Sequence, residues 1–467
     1  MLSSQDDQRT DNALERIFQH VISPFERFIR WESASGIMLM AAAVVAMILA
    51  NSALAHAFHH LWETPLALSV GDWTLQKSLH HWINDGLMAL FFFLVGLEIK
   101  NEILAGDLST PKQAALPMIA ALGGMVVPAL LFFLVNRGNE FVVGWGIPMA
   151  TDIAFAVGVM TLLGARVPKA LLMFLVALAI ADDLGAVVVI AVFYTDDLHT
   201  GALLLAAGLL ALMAVLNAAN VRSSVPYFIL GGLLWYAVLQ SGVHATVAGV
   251  LTAFMIPTSS RFSQASFSKQ VRELLDRFDR ENQSKNSPSA LLANKSQLHM
   301  LETLQNGLHA IQPPLIRLEH MLALPVAFLI VPLFALANAG VTIQFDELAS
   351  SFSHPVVVGI LLGLVVGKPL GITLFTWLAV RVNLARLPDG VHMGHVFGAG
   401  LIAGIGFTMS IFIDGLSFEQ QPHIMDLAKM AILSASILAA VLGAAWFMLT
   451  AQPAQRTSTQ AEAEAEG

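Results

Sequence analysis

The sequence predicts an all-α polytopic membrane protein of about twelve transmembrane helices, with an inverted repeat and two discontinuous helices crossing at mid-membrane. Three observations predict it. Apolar residues make up 56% of the 467 and fall in long runs, many near the roughly 20 residues that span a bilayer core. Only 12% of residues are charged, against about a quarter in a soluble globular chain. Two of the runs are interrupted at corresponding places, by Pro148-Met149-Ala150-Thr151-Asp152 and by Gly398, Gly400, Gly404 and Gly406 ahead of Phe407-Thr408. Paired interruptions in two halves point to broken helices around a midplane binding site. The first of these runs inward and the second outward, as an inverted repeat requires.

Residues 1–35 read as a cytoplasmic N-terminus. Within it Leu14, Ile17, Phe18, Val21, Phe25, Phe28 and Ile29 share one face of a helix over 13–31, with Arg16, Arg27 and Arg30 among the polar positions. Such a helix lies on the membrane surface or packs on the protein's own cytoplasmic face. Spans are expected at 36–54, 81–104, 114–135, 142–164, 170–194, 201–219, 225–240 and 244–257, which places transmembrane helices 1–8 in 36–257. A polar stretch follows, and 258–320 reads as a cytoplasmic loop. Its two amphipathic segments, around Phe267–Phe278 and Leu298–Ile311, can form a helical hairpin joined at 282–289. Spans at 321–342, 354–380, 394–415 and 423–449 put helices 9–12 in 321–450, ahead of a low-complexity, disordered cytoplasmic tail at 451–467.

Twenty of the 24 Lys and Arg fall on one side of this alternation when the N-terminus is cytoplasmic. Only Lys77 and Arg137 fall on the other, and Lys368 and Lys429 lie within spans. The asymmetry supports both termini inside. The first span is preceded by a long polar stretch with acids at Asp6, Asp7 and Asp11, unlike the short basic start of a signal peptide. It reads as a retained helix. The chain has no cysteine, which excludes disulfides and thiolate metal sites. The net charge of −9 gives no sign of a nucleic-acid partner.

Four ionisable residues fall near the middle of spans: Asp152, the adjacent pair Asp182 and Asp183, and Lys368. Each costs at least ~2.5–3.5 kcal/mol at the bilayer centre on insertion scales, and such residues mark ion pathways or proton relays. Buried salt bridges that merely fix packing are the alternative. Three acids against one base leave surplus negative charge, which a purely structural network would avoid. Successive helical residues point about 100° apart, so one aspartate can pair with Lys368 while the other meets a cation. Carboxylate oxygens are hard ligands suited to sodium-type cations. Crowded carboxylates in a low-dielectric site also favour the protonated form, so protons and cations compete for the same oxygens. Gly359, Gly363, Gly367 and Gly371 read instead as close helix packing.

The chain resembles a known family, the NhaA-type sodium/proton antiporters. The resemblance rests on Trp82-Ile83-Asn84-Asp85, Phe93-Leu94-Val95-Gly96-Leu97-Glu98, Ala150-Thr151-Asp152-Ile153-Ala154-Phe155, Ala181-Asp182-Asp183-Leu184-Gly185-Ala186, Gly242-Val243-His244-Ala245-Thr246, Gly367-Lys368-Pro369-Leu370-Gly371 and Gly404-Ile405-Gly406-Phe407-Thr408-Met409-Ser410. These occur in the family's order and cover 33–450 apart from 258–312. The NhaA type is itself one of the inverted-repeat transporters that define the broken-helix pattern.

The resemblance implies electrogenic exchange in the bacterial inner membrane, with sodium or lithium leaving the cytoplasm as more protons enter, and a role in sodium and pH homeostasis. It implies that Asp182 and Asp183 bind the transported ion, that Asp152 and Lys368 compensate the facing helix dipoles, and that Thr151 assists the cation. Glu98, Glu319 and His320 match a cytoplasmic cluster linked to pH response, and His244 matches a histidine affecting pH dependence. Two positions depart from the family pattern. Asn101 stands where the family has a basic residue, and a further histidine is missing near Ala323. No cofactor is expected beyond the transported ions, and the partners are those ions and the lipid bilayer, with room for a homodimer.

The rival reading is a cation-coupled symporter of an organic solute, which would need an aromatic or arginine-lined pocket at mid-depth; no mid-span arginine is evident. An intramembrane aspartyl protease would need a Gly-x-Gly-Asp motif, which is absent, so the chain reads as a transporter and not an enzyme. A channel does not need proton-binding carboxylates.

Overall fold

A computed structural model describes residues 34–106, 108–195, 198–259, 311–342 and 351–450, with isolated positions between 268 and 304. The expected surface helix at 13–31, most of the 262–308 hairpin and the tail at 451–467 lie outside the described residues.

Each expected span carries helix. α1 (Ala34–Ala50) turns by 114° into α2 (Ala55–Glu63). A π-turn at Trp82–Leu87 leads into α3 (Met88–Leu104), which is followed by α4 (Pro111–Val135). The Glu140–Met149 3-10 segment and α5 (Ile153–Leu162) form one broken span, bent by 43°. Then come α6 (Lys169–Phe193), α7 (Thr200–Ala218), α8 (Val225–Leu239) and α9 (Val247–Met255). After the polar stretch follow α10 (Pro314–Asn338) and α11 (Pro355–Arg381). α12 (Met393–Ala403) and α13 (Phe407–Ser417) form the second broken span, bent by 50°, and α14 (Pro422–Thr450) ends the bundle. Among the described residues, six helices are long and apolar enough to cross a bilayer, or up to nine crossings if each bent pair is one span.

Three details differ from the sequence reading. Between α2 and α3 an antiparallel hairpin pairs β1 (Pro65–Val70) with β2 (Trp73–Ser78), from Pro65 opposite Ser78 to Val70 opposite Trp73. Gly71, at φ 61°, supplies the left-handed residue that such a tight turn needs. The six-residue strands lack the length of a membrane helix, so a search for apolar runs passes over them. α10 begins at Pro314, ahead of the expected 321, so Glu319 and His320 sit on a helix and not in the loop. Gly398 and Gly400 lie inside α12, where added methyls would meet Phe447 and Pro369. The break itself is made by Gly404–Gly406.

The core is closed by small residues. Methyls added at Gly363, Gly367 or Gly371 of α11 would strike Pro148, Pro128 and Gly123, so α11 is pressed against α4 and the first broken span. This is the close packing the sequence suggested. It brings Lys368 to the level of both helix breaks.

Candidate functional site

The site is built from four interrupted helix ends. The chain at 150–152 is extended, with Ala150 at φ −85°, ψ 151° and Asp152 at φ −87°, ψ 100°. There the Asp152 amide donates to the Ile405 carbonyl at 2.7 Å, which ties the two breaks together. Two helix N-termini then converge on one carboxylate. Asp152 is 2% exposed. Its Oδ1 accepts from the Phe155 amide of α5 at 3.0 Å. Its Oδ2 accepts from the Thr408 amide of α13 at 3.1 Å and from the Thr408 hydroxyl at 2.6 Å. A negative charge at two positive helix ends is the favourable sign.

The two C-terminal ends are met by donors. Lys368 is fully buried. Its ammonium donates to the Met149 carbonyl, at the end of the 140–149 segment, and to Asp182 Oδ2. Lys368 and Asp182 thus form an ion pair at 2.5 Å. The Thr151 hydroxyl lies 2.8 Å from Asp182 Oδ2 and 3.0 Å from the Ala403 carbonyl, where α12 ends. With one proton it donates to one of these at a time.

Asp182 and Asp183 sit mid-way along α6, each 1% exposed. Their environments differ. Asp182 Oδ2 holds Lys368 and Thr151, while its Oδ1 has no hydrogen-bonding partner among the described residues. Neither oxygen of Asp183 has one. Asp183 feels the like charges of Asp182, Asp152 and Glu98. Three carboxylate oxygens therefore remain available beside one committed to Lys368. The described residues hold no group of three or more His, Asp or Glu placed to bind one metal ion. A cation at the pair would draw its other ligands from hydroxyls and carbonyls.

The four pH-response candidates fall in two places. Glu98 of α3 and Glu319 of α10 line one cavity of about 360 Å³, together with Asn101. Asn101 donates to Glu319 at 3.2 Å, so here a neutral amide makes the contact at the position where the family pattern has a base. Ile153 and Ile180 also line this cavity, which carries it up to the crossing. His320 is exposed on the adjoining turn. His244 lies elsewhere, 2.9 Å from the Thr246 hydroxyl and 3.8 Å from Asp85. Asp85 and Glu98 are about 20 Å apart along the helix at 1.5 Å per residue.

Sequence reasoning missed Asp414, which is fully buried on α13. It lies one residue inside the expected end of span 394–415, where a charge reads as a boundary. Lys429 stands in span 423–449 with no role assigned, and its charge reaches Asp414.

Comparison with known proteins gives this arrangement a family. The family described as Na+/H+ antiporter 1 matches residues 26–447. The chain belongs to that family. A Na(+)/H(+) antiporter NhaA 1 of Saccharophagus degradans is 50% identical over 92% of this chain and 92% of its own length. A Na(+)/H(+) antiporter NhaA of Syntrophobacter fumaroxidans is 47% identical over 94% of this chain and 93% of its own. Among solved structures, the sodium proton antiporter MjNhaP1 of Methanocaldococcus jannaschii aligns over 93% of this chain and 99% of its own at a TM-score of 0.45 and 12% identity. As a member of the antiporter family the chain is a multi-pass membrane transporter, and both breaks, Asp152, the aspartate pair and Lys368 fall within the matched region.

Proposed function

We propose that this antiporter exports sodium or lithium from the cytoplasm in electrogenic exchange for protons, with Asp182 and Asp183 as the shared ion site. One observation carries the reading: two adjacent buried carboxylates on α6, one paired with Lys368 and the other with both oxygens unbonded. A buried carboxylate without hydrogen-bonding partners is stabilised by a proton or by a bound cation. That alternative is the exchange. Thr151 and nearby carbonyls complete the cation's ligands. Asp152 and Lys368 hold the four helix ends in place around it. Glu98, Glu319 and His320, beside the cavity that reaches the crossing, respond to cytoplasmic pH. His244, beside Asp85, responds to pH at the opposite end.

The side that carries twenty of the 24 Lys and Arg faces the cytoplasm of a bacterial inner membrane, with both termini there. Exposed apolar side chains such as Leu204 (73%), Val215 (62%) and Ile437 (64%) support lipid on the outer faces of α7 and α14. A homodimer belongs to the same proposal, and light scattering in detergent checks it.

The test of the site is competition. If both ions use Asp182 and Asp183, sodium binds only to deprotonated oxygens. For each proton displaced, apparent sodium affinity should then fall about tenfold per pH unit of acidification below the macroscopic pKa of the pair, since one unit is ~1.36 kcal/mol. It should be flat above that pKa. Proteoliposomes assayed across a pH series, with membrane potential clamped and unclamped, measure both the slope and the electrogenicity. A sodium affinity independent of pH throughout the active range would refute direct competition.

A further inference from the structure

The outer halves of the two broken spans, 140–149 and α13, pack on each other along a polar seam that the antiport site does not explain. Beyond Thr408 at its first turn α13 is mostly apolar, yet Ser410, Asp414 and Ser417 recur at the spacing that puts residues on one helical face. Ser410 is fully buried and donates to the Ile147 carbonyl at 2.8 Å. One turn further out, Asp414 is fully buried, and neither of its oxygens has a hydrogen-bonding partner among the described residues. At the outer end Tyr194 closes the seam: its hydroxyl donates to the Val143 carbonyl at 2.8 Å and accepts the Gly146 amide at 3.3 Å.

The ionisable groups around Asp414 are few. From α14 come Lys429, 7% exposed, and Asp426. From the end of α6 comes Tyr194, whose interaction with Asp414 is electrostatic. The 140–149 segment carries only Glu140, exposed at its start, and the 331–338 part of α10 carries none. The Lys429 charge also acts on His80, which belongs to a second polar group in which His80, Asn84 and Asn338 bond one another. A structural acid this deeply buried would be expected to hold donors. Asp414 holds none, while the hydroxyls around it point to backbone carbonyls.

We propose that Asp414 is a proton-carrying residue on the outward path, which relays protons between the outer surface and the crossing about 10 Å below it along α13. It rests on the orientation and ion site proposed above. A proton from the outer water neutralises the Asp414 carboxylate. The same proton then passes inward past Ser410 to the aspartate pair, and Asp414 becomes charged again. Lys429 offsets that charge between transfers. Sodium does not use this step.

Sodium–sodium exchange moves no net proton and therefore separates the two roles. Proteoliposomes of the full chain would be assayed for sodium-driven proton flux and for exchange of radioactive sodium against unlabelled sodium. Asp414→Asn should lower the proton-coupled flux by about a hundredfold or more, in the range of a lost proton-transfer group, and keep sodium–sodium exchange at the wild-type rate. Equal loss of both fluxes, or loss of neither, overturns the proposal. Asp183→Asn run alongside should lose both fluxes. If it keeps both, the aspartate-pair reading fails, while the ratio measured for Asp414→Asn still stands by itself. Should Asp414→Asn not insert, Asp414→Glu decides. A relay retains exchange with a displaced pH profile, and an unchanged profile overturns the proposal.

Discussion

Removing Lys368 should destabilise this protein by stranding the acid it serves. The ammonium is fully buried, bonds the Met149 carbonyl and pairs with Asp182 at 2.5 Å. In Lys368→Met the carboxylate of Asp182 keeps only the Thr151 hydroxyl, which is shared with Ala403. Breaking a buried pair by removing one partner costs about 3–5 kcal/mol, because a charge is left uncompensated. Neither partner is solvent-exposed, so screening takes little of this away. The loss should grow as pH rises, since acid neutralises the stranded carboxylate and base restores its charge. Adding Asp182→Asn should recover most of it, because the pair is then replaced by neutral groups. The assay is thermal unfolding in detergent of wild type, both single variants and the double variant across pH, read as a double-mutant cycle. If the double variant is no more stable than Lys368→Met, or melting is unaltered throughout, the two residues are not coupled as the geometry requires.

Two further outcomes follow from the same site and its surroundings. Asp183→Asn should abolish exchange with insertion intact, and Asp182→Asn should be nearly as severe; normal sodium-driven proton release by purified Asp183→Asn would refute the assignment. Deleting 262–308 should preserve exchange, because a backbone bond from Leu315 to Pro257 at 3.4 Å already holds the ends of α9 and α10 together. A truncated protein that inserts but exchanges nothing would place that segment in the transport machinery.

The membrane spans were legible because a bilayer demands long apolar runs, and the crossing was legible because charge and broken helix are costly at that depth. What sequence could not assign was the partner of Lys368. Asp182 and Asp183 are adjacent and chemically alike, and only the rotation of α6 against α11 selects Asp182. The hairpin at 65–78 escaped because its strands are short. Glu319 and His320 read as loop because Arg317, Glu319 and His320 lower the polarity signal's contrast with the preceding stretch. The helix nevertheless begins at Pro314, where proline suits a first turn. The glycine cluster at 398–406 mixed two roles. Gly398 and Gly400 admit neighbouring helices, and only the later pair opens the backbone.

The charges at the crossing can be balanced one by one, and the balance constrains the exchange. Asp152 faces two helix N-termini, each equivalent to roughly half a positive charge, so its charge is met by α5 and α13. Asp182 is met by Lys368. Asp183 has no hydrogen-bonding partner among the described residues, and its own charge equals one sodium ion or one proton. Asp183 by itself therefore supports one-for-one exchange. Electrogenic exchange needs a second proton, and among the described residues the ion pair at this level is Asp182 with Lys368. The sodium-bound state must then loosen that pair, either through a proton lost from Lys368 or through Asp182 turning to the cation. The coupling energy between Lys368 and Asp182, measured by the double-mutant cycle above at alkaline pH, should accordingly be smaller with saturating sodium than without it. A coupling energy unchanged by sodium would mean that the pair stays closed throughout the cycle and that the second proton travels through another group.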